Sequence, residues 1–220
     1  MDSIRFDTVV FDLDGTLADT APDLAAALNH ALLTLGRAAI APESVRHLVG
    51  HGARALLWRG LDATGEASEA LVERCLPLFI DYYSANICRG TTAYPELDAA
   101  MDALDAHGVA LAICTNKPEA LAHALVAALG WEGRFASLVG GDTLAVRKPD
   151  PAPLHEAIAR AGGGCAVFVG DTIVDADTAR AAMIPFVAVG FGFSDRPATL
   201  LGADIVIDRY ADLLPALAQL

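Results

Sequence analysis

Basic side chains are scarce in this 220-residue chain, which has 15 Lys and Arg against 28 Asp and Glu and a formal net charge of −13. Nucleic acids and anionic membrane surfaces bind proteins through clusters of Lys and Arg, so this balance argues against both as partners. Only two basic residues are lysines, Lys117 and Lys148. A protein this acidic needs a local positive centre to handle a phosphate dianion, supplied by placed cations or a divalent metal ion.

Long apolar runs are also missing. The longest, such as VALAIC, have about six residues, whereas a membrane-spanning helix needs about 18 or more. We therefore expect no membrane span. The first residues, MDSIRFD, lack the basic start and apolar core of a signal peptide, so we expect a cytoplasmic protein. The four cysteines contain no C-x-x-C pair, and we expect buried free thiols rather than a zinc site or a disulfide framework.

Short runs that are apolar on both faces recur along the chain. They predict strands of a parallel sheet that is covered by helices on both sides, because such strands are buried at every position. Strand-like and helix-like stretches alternate, which is typical of an α/β layer fold with right-handed crossovers. We predict a doubly wound, Rossmann-like parallel sheet whose strands lie in DTVVFDL, VALAICT, SLVGG, AVFVGD, PFVAVGF and ADIVIDR.

The segment between the first two predicted strands carries only helical patterns. A stretch of about 90 residues is too long for a crossover connection, so we predict a helical insertion after the first strand. We assign residues 1–17 and 92–220 to the α/β core, and residues 18–91 to an inserted α-helical cap domain. The helical patterns of the insertion cover roughly 22–36, 42–49, 53–62 and 67–88.

Two carboxylates follow the first predicted strand, which ends in Asp12-Leu13-Asp14-Gly15-Thr16. The carboxyl edge of an open α/β sheet is where ligands bind. Residues two apart in extended chain point to the same side, and Gly15 allows the backbone to turn directly after them. The segment therefore predicts two acids that face one site, although Asp12 and Asp14 could also simply cap the turn.

Polar and basic residues follow two other elements of the predicted sheet. Thr115-Asn116-Lys117 ends the second strand at a helix entrance, where backbone N–H groups favour an anion. Lys148 lies in the loop that opens a later helix. Ordinary helix-start chemistry and a solvated surface lysine are the alternatives. Because both lysines of the chain fall on these edge loops, we interpret Lys148 as a cation placed beside a bound phosphate.

A further acidic group follows the strand AVFVGD, which delivers Asp171 to the same edge, with Asp175 and Asp177 soon after it. Asp177 can be read as a helix cap. Asp171 would join Asp12 and Asp14, and three converging carboxylates repel one another unless a hard cation neutralises them. Oxygen ligands of this kind favour Mg²⁺, so we predict Mg²⁺ as the cofactor.

Taken together, these segments resemble the haloacid dehalogenase superfamily of phosphohydrolases, whose four motifs appear here in order. Similarity to the phosphoglycolate phosphatase branch of that superfamily extends over longer stretches, namely FDLDGTLADTAPDL, ICTNKP and GGDTLAVRKPDPAPL. The resemblance implies the haloacid dehalogenase-type fold over essentially the whole chain. The four motifs are the Asp12–Thr16 segment, Thr115 with Asn116, Lys148, and Gly170-Asp171 with Asp175.

The resemblance also implies a mechanism. Asp12 would attack phosphorus to form an aspartyl-phosphate, and Asp14 would protonate the leaving group and then deprotonate the hydrolytic water. Asp12, Asp171 and the backbone carbonyl of Asp14 would hold Mg²⁺. Lys148 would offset the remaining negative charge, and Asp175 would steady Lys148 or a metal-bound water.

Phosphate and substrate contacts are implied in the same way. Thr115 and the Asn116 amide would hydrogen-bond phosphoryl oxygens, since positioning and electrostatics supply nearly all the acceleration of phosphoryl transfer. The cap would close over the sheet edge and read the organic part of the substrate. Candidate cap contacts are the segment Gly50-His51-Gly52, Arg46 and Arg54. Alternatively, the glycines only break helices and the two arginines are surface charges.

Several functions share these motifs. A haloalkanoate dehalogenase would not require Asp14, so the presence of Asp14 argues against that function. A phosphonate hydrolase needs a lysine in the cap, and residues 18–91 contain none, which argues against that function as well. A mutase resembling β-phosphoglucomutase and a non-enzymatic phospho-ligand sensor stay open. We expect the partner to be a small phosphorylated metabolite, with 2-phosphoglycolate first and sugar phosphates, amino-sugar phosphates or pyrophosphate as alternatives. The sequence does not determine the oligomeric state.

Overall fold

The computed structural model describes residues 4–220 and is built around a six-stranded, wholly parallel sheet. The order of its strands is β5-β4-β1-β6-β7-β8, and a separate two-stranded ribbon pairs β2 with β3. The strands are β1 (Thr8–Phe11), β2 (Ala18–Asp19), β3 (Thr92–Ala93), β4 (Ala110–Cys114), β5 (Ser137–Val139), β6 (Ala166–Gly170), β7 (Phe186–Val189) and β8 (Ile205–Ile207). Each of the six predicted segments contains one strand of the large sheet, which confirms the predicted fold class.

Helices cover both faces of this sheet. Consecutive residues of a strand point to opposite faces, so Val9 packs in one cluster with α5, α6 and α9, and Val10 in another with α7 and α8. This two-sided burial explains why the strand segments are apolar at every position. These helices are α5 (Leu97–Ala106), α6 (Glu119–Ala128), α7 (Ala152–Arg160), α8 (Ile173–Ala182) and α9 (Leu213–Leu217).

A group of helices between β2 and β3 forms a third hydrophobic cluster of its own. Apolar residues at helical spacing on these helices meet in that cluster, which includes Leu28, Leu57 and Phe79. Leu121 of α6 also belongs to it and joins the group to the sheet layer. The four helices of the insertion are α1 (Ala21–Thr34), α2 (Pro42–Val45), α3 (Ala53–Ala63) and α4 (Glu69–Ala85), with a 3₁₀ turn at Arg46–Leu48.

The two ends of this insertion are tied together at its base. β2 and β3 are antiparallel, with Ala18 opposite Ala93. The buried Asp23 carboxylate accepts hydrogen bonds from the Gly90 and Thr91 backbone N–H groups and from the Thr91 hydroxyl, at 2.7–3.0 Å. The helices therefore leave and rejoin the sheet layer at one place, close to the predicted boundaries at 18 and 91. That residues 18–91 act as a separate cap domain stays a prediction.

Two further sequence predictions meet the structure here. All four cysteines are free, as expected, but only Cys75 and Cys114 are buried. The expectation of burial is wrong for Cys165, which is exposed just before β6, and for Cys88, which is half-buried. Within residues 4–220, none of the helices combines the length and the apolarity that crossing a membrane would require.

Candidate active site

The ends of three neighbouring strands bring the predicted site residues together. β1 lies between β4 and β6, with Phe11 opposite Ile113 on one side and Val169 on the other. The residues that follow these three strands therefore reach the same edge of the sheet. This edge lies at the topological switch point, where the chain continues from β1 to strands on both sides of it. Carboxylate oxygens of Asp12, Asp171 and Asp175 lie within 4.8 Å of one another there, and all three residues are buried.

The turn after Asp14 depends on glycine. Gly15 has a φ of +85°, a conformation that costs other residues energy. A Cβ at this position would clash with Asp171 Oδ2 and would lie 2.9 Å from the Phe193 ring. The neighbouring Thr16 donates its hydroxyl hydrogen to Asp171 Oδ1 at 3.0 Å. Gly15 therefore lets the first loop approach Asp171 closely.

Lys148 is buried between two of the carboxylates. Its Nζ lies 2.9 Å from Asp12 Oδ1 and 2.6 Å from Asp175 Oδ1, and its side chain is only 1% exposed. Burial alone would lower the pKa of this lysine, but Asp12 and Asp175 more than offset that effect and raise it. Lys148 is therefore a fixed positive charge in contact with Asp12.

Asp175 has a role in the local backbone as well. It lies in the first turn of α8, where its Oδ2 accepts from the Thr172 backbone N–H at 3.0 Å and from the Thr172 hydroxyl at 2.7 Å. Such a capping box satisfies groups at the helix start that would otherwise lack a partner. The cap fixes the carboxylate, so Oδ1 is held against Lys148. Asp177, in contrast, pairs with Arg180 on the exposed side of α8.

Negative charge exceeds positive charge in this cluster. Burial raises the pKa of Asp12 to about 7 although Lys148 opposes the change, and Asp175 and Asp14 raise it further. Burial, followed by the charges of Asp175 and Asp12, also raises the pKa of Asp171 well above its ordinary value. Three buried carboxylates share one lysine and offer oxygen ligands only, which is the donor set that a hard divalent cation prefers.

The Asp14 carboxylate has its own lysine partner, Lys117. The carboxylate accepts from Lys117 Nζ at 2.7 and 3.1 Å and from the Thr20 hydroxyl at 2.7 Å. Lys117 is buried, and the Asp14 charge raises its pKa against the opposing effect of burial. The side chain of Asp14 thus faces a lysine to which sequence analysis gave no definite role. The scarcity of lysine was the signal that pointed to it.

Thr115 and Asn116 shape the loop after β4. Thr115 Oγ1 accepts from the Lys117 backbone N–H at 3.1 Å. Asn116 Nδ2 donates to the Lys148 carbonyl at 3.1 Å and to the Gly50 carbonyl at 3.4 Å. Its Oδ1 is buried and has no hydrogen-bond partner within residues 4–220. The amide side chain therefore connects the lysine loop with the helical insertion.

A pocket opens between this edge and the insertion. Its polar wall includes Asp12, Asp14, Thr115, Asn116 and Lys117. The facing wall is mostly apolar and includes Leu24, Val49, Gly50, Gly52, Leu56, Phe79 and Tyr83. A small ligand in this pocket would meet charged groups on one side and hydrocarbon on the other.

The remaining predicted contacts lie in different places. Gly50 and Gly52 line the pocket, whereas His51 lines an adjoining cleft with His47, Arg59 and Arg196. The structure does not place Arg54 at the site: its guanidinium bonds Glu69 and Glu73, both at 2.8 Å, on the exposed face of the insertion. Its position on α3 directs it toward α4, so the predicted substrate contact by Arg54 gains no support from the structure and stays a prediction.

Arg46 lies closer to the sheet edge than Arg54 does. Its Nη1 is 2.7 Å from Asp19 Oδ2, and its guanidinium stacks over the Phe193 ring at 5.0 Å from the centroid. Phe193 in turn donates its backbone N–H to Asp171 Oδ2 at 2.6 Å. Phe193 was not singled out from the sequence, since a backbone donor carries no residue signature.

Known proteins of one family are similar to this chain over most of its length. The sequence matches the family described as haloacid dehalogenase-like hydrolase over residues 6–182. A phosphoglycolate phosphatase of Mesorhizobium japonicum is 44% identical over 214 residues, which cover 96% of this chain and 94% of that protein. One of Colwellia psychrerythraea is 35% identical and covers 97% of each chain.

A solved structure gives the same result. The crystal structure of a predicted phosphoglycolate phosphatase from Haemophilus somnus has a TM-score of 0.89 with this chain at 31% identity. The alignment covers 96% of this chain and 97% of that one. From the family match and from relatives that extend over nearly its whole length, we conclude that this chain belongs to the haloacid dehalogenase-like hydrolases.

Proposed function

We propose that this protein is a magnesium-dependent phosphatase that hydrolyses 2-phosphoglycolate to glycolate and phosphate through an aspartyl-phosphate on Asp12. The observation that carries the proposal is the placement of Asp12 and Asp14 on one loop at the polar wall of the pocket, each paired with its own buried lysine. The substrate is suggested by relatives that are named phosphoglycolate phosphatase and match nearly the full chain.

The first chemical step forms the covalent intermediate. A carboxylate oxygen of Asp12 attacks phosphorus, the bond from phosphorus to the bridging oxygen breaks, and the electron pair stays on that oxygen. Asp14 gives it a proton, so glycolate leaves as an alcohol rather than an alkoxide. Lys148, in contact with Asp12 at 2.9 Å, keeps the nucleophile oriented and counters the negative charge that accumulates around phosphorus.

The second step returns the enzyme to its starting state. Asp14 takes a proton from a water molecule as that water attacks phosphorus, and the bond from phosphorus to the Asp12 oxygen breaks. Phosphate leaves, and both aspartates regain their initial charge. Thr115 and Asn116 line the same pocket wall, and the Thr115 hydroxyl and the Asn116 backbone N–H would hydrogen-bond phosphoryl oxygens in both steps.

The residues present fit a divalent cation. Asp12, Asp171 and the backbone carbonyl of Asp14 would hold Mg²⁺, which would supply the positive charge needed to bring a phosphate dianion to a carboxylate nucleophile. The raised pKa values of Asp12 and Asp171 support this assignment, because a bound cation would compensate the buried negative charge. Asp175 would keep Lys148 in place, through the contact at 2.6 Å.

The proposal is tested by assaying the purified protein with Mg²⁺ on 2-phosphoglycolate, several sugar phosphates and pyrophosphate. We expect 2-phosphoglycolate to be hydrolysed fastest and EDTA to abolish turnover. Asp12→Asn should lower the rate by roughly 10⁴-fold or more, as loss of a nucleophile does. Asp177→Asn is the matched control, because Asp177 is an exposed aspartate outside the site.

Each component of the proposal has an outcome that contradicts it. Equal rates on sugar phosphates would refute the substrate and leave the mechanism standing. Unchanged turnover in Asp12→Asn would refute the mechanism. Formation of a sugar-phosphate isomer instead of free phosphate would identify a mutase, and binding of phosphate esters without turnover would identify a sensor.

A further inference from the structure

One polar atom in the apolar wall of the pocket has no partner. The Tyr83 hydroxyl is buried and donates no hydrogen bond to any group in residues 4–220. Burial raises the pKa of Tyr83 to about 12 in spite of the nearby Lys117 charge, so the hydroxyl keeps its proton and can donate it. Buried hydroxyls nearly always have a partner. The position of Tyr83 in the pocket lining indicates that a ligand provides that partner.

A cation lies over the ring of Tyr83. Lys117 Nζ is 4.6 Å from the centroid of the Tyr83 ring and lines the same pocket. An ammonium group has three hydrogens to donate. Lys148 contacts two carboxylates, whereas Lys117 contacts both oxygens of one carboxylate, that of Asp14. These two contacts leave one of the three hydrogens of Lys117 for a second anion.

The distance from Lys117 to Asp14 matches the length of the proposed substrate. Asp14, as the acid, meets the bridging oxygen of the phosphate ester. In 2-phosphoglycolate the carboxylate carbon is two bonds from that oxygen, so the carboxylate reaches only groups directly beside Asp14. Lys117 Nζ, at 2.7 Å from Asp14 Oδ1, is such a group. A longer anion would have to extend into the apolar wall formed by Leu24, Leu56 and Phe79.

The same wall disfavours polyhydroxylated substrates. The hydroxyl groups of a sugar phosphate would be buried against hydrocarbon, and a site that leaves polar groups unpaired rejects the ligand that carries them. A carboxylate, in contrast, would find one charged donor and one neutral donor in adjacent positions. Two such donors, from different parts of the chain, are a specific arrangement for a small carboxylate.

We propose that the Lys117 ammonium and the Tyr83 hydroxyl together bind the carboxylate of the substrate and so determine the preference for an acid over a neutral phosphate ester. The inference rests on the proposed function and adds to it the residues that read the organic part of the substrate. The contacts with the organic part of the substrate are thereby assigned to Tyr83 on α4 and to Lys117 in the loop after β4. Sequence analysis had assigned them to the segment Gly50-His51-Gly52 and to Arg54.

The test compares two substrates of equal chain length, 2-phosphoglycolate and 2-hydroxyethyl phosphate, which has an alcohol in place of the carboxylate. The measured quantity is the ratio of their kcat/KM values. Tyr83→Phe should lower this ratio about tenfold, mainly through a higher KM for 2-phosphoglycolate, because a hydrogen bond to a charged group is lost. The variant should fold normally, since it removes a hydroxyl that donates no hydrogen bond within residues 4–220.

Lys117 is tested on the same two substrates. Lys117→Met should lower the ratio about 100-fold, as expected when one partner of a buried charge pair is removed. Its rates on both substrates will also fall because Asp14 loses its ion pair, and the ratio separates this general loss from the loss of recognition. Tyr82→Phe is the matched control, because Tyr82 is the neighbour of Tyr83 on α4 and stacks on His30 instead of lining the pocket.

The outcomes distinguish this inference from the proposed function. If the wild-type protein hydrolyses both substrates equally well, the proposed substrate fails, and the carboxylate site fails with it. If the wild-type protein prefers 2-phosphoglycolate and both variants keep that preference, the proposed function stands and the inference is overturned. Equal loss on both substrates in Tyr83→Phe would give Tyr83 a structural role and would likewise overturn it.

Discussion

Paired charged side chains are buried at the sheet edge and exposed in the helical insertion. At the edge, Lys148 and Asp175 have side chains that are 1% and 0% exposed and in direct contact. In the insertion, Arg54 and Glu69 form a pair of similar length whose side chains are 40% and 73% exposed. A buried pair interacts strongly because water does not screen it, whereas an exposed pair contributes little. The strongly interacting charges are therefore those at the sheet edge, whereas the ion pairs of Arg54 in the insertion are weakened by water.

Removing Lys148 should have the largest effect on stability and turnover. Lys148→Met leaves Asp12 and Asp175 buried without their counter-charge, and breaking a buried ion pair in this way costs about 3–5 kcal/mol. We expect the free energy of unfolding, measured with urea at pH 8 in the absence of metal, to fall by that amount, and turnover to be lost. Arg160→Met on α7, whose partner Glu156 is exposed, is the control. Equal effects of the two substitutions would contradict the contrast between buried and exposed charge.

Magnesium should affect the sheet edge in a pH-dependent way. The folded-state pKa values of Asp12 and Asp171 are raised, to about 7 for Asp12. A carboxyl group with a raised pKa favours folding below its unfolded-state pKa and loses that contribution as pH rises through the folded value. The metal-free protein should therefore become less stable between about pH 4 and pH 7, and Mg²⁺ should compensate most where the carboxylates are ionised.

The measurement is the melting temperature with and without Mg²⁺ at pH 8 and at pH 5. At about 100 times its Kd, the ion should add about 2.7 kcal/mol at pH 8, which corresponds to a rise of roughly 5–10 °C for a domain of this size. The rise should be smaller at pH 5 and smaller in Asp12→Asn at either pH. Equal rises at both pH values would show that the ion binds elsewhere.

The exposed charges of the insertion should matter least. Arg54→Ala removes two exposed ion pairs, with Glu69 and Glu73, and such pairs contribute little to stability because water screens them. We expect turnover of 2-phosphoglycolate to stay unchanged and the effect on stability to fall further at high salt, because salt screens surface charges. A rise in KM would return Arg54 to the list of substrate contacts and would show that the insertion also acts through charge.

Local sequence patterns were sufficient for the groups at the sheet edge. Asp12 and Asp171 each end an apolar strand segment, so their chain positions placed them at the carboxyl edge before any tertiary contact was considered. The cap contacts could not be predicted in this way. Arg54 and Tyr83 both belong to the insertion, and only the packing of α3 against α4 and of α4 over the pocket determines which of them faces the site.

The sequence by itself determined the parallel sheet, the helical insertion and the three acidic residues at the strand ends, because strand periodicity and chain order dictate which residues reach one edge. Only the tertiary structure decided that Lys117 pairs with Asp14, 103 positions away. It also decided that Tyr83 lies against Lys117 with a buried hydroxyl that finds no acceptor in the part of the chain that the structure describes. Contacts of this kind depend on how the insertion packs on the sheet layer, and that packing results from many apolar contacts that no local motif encodes.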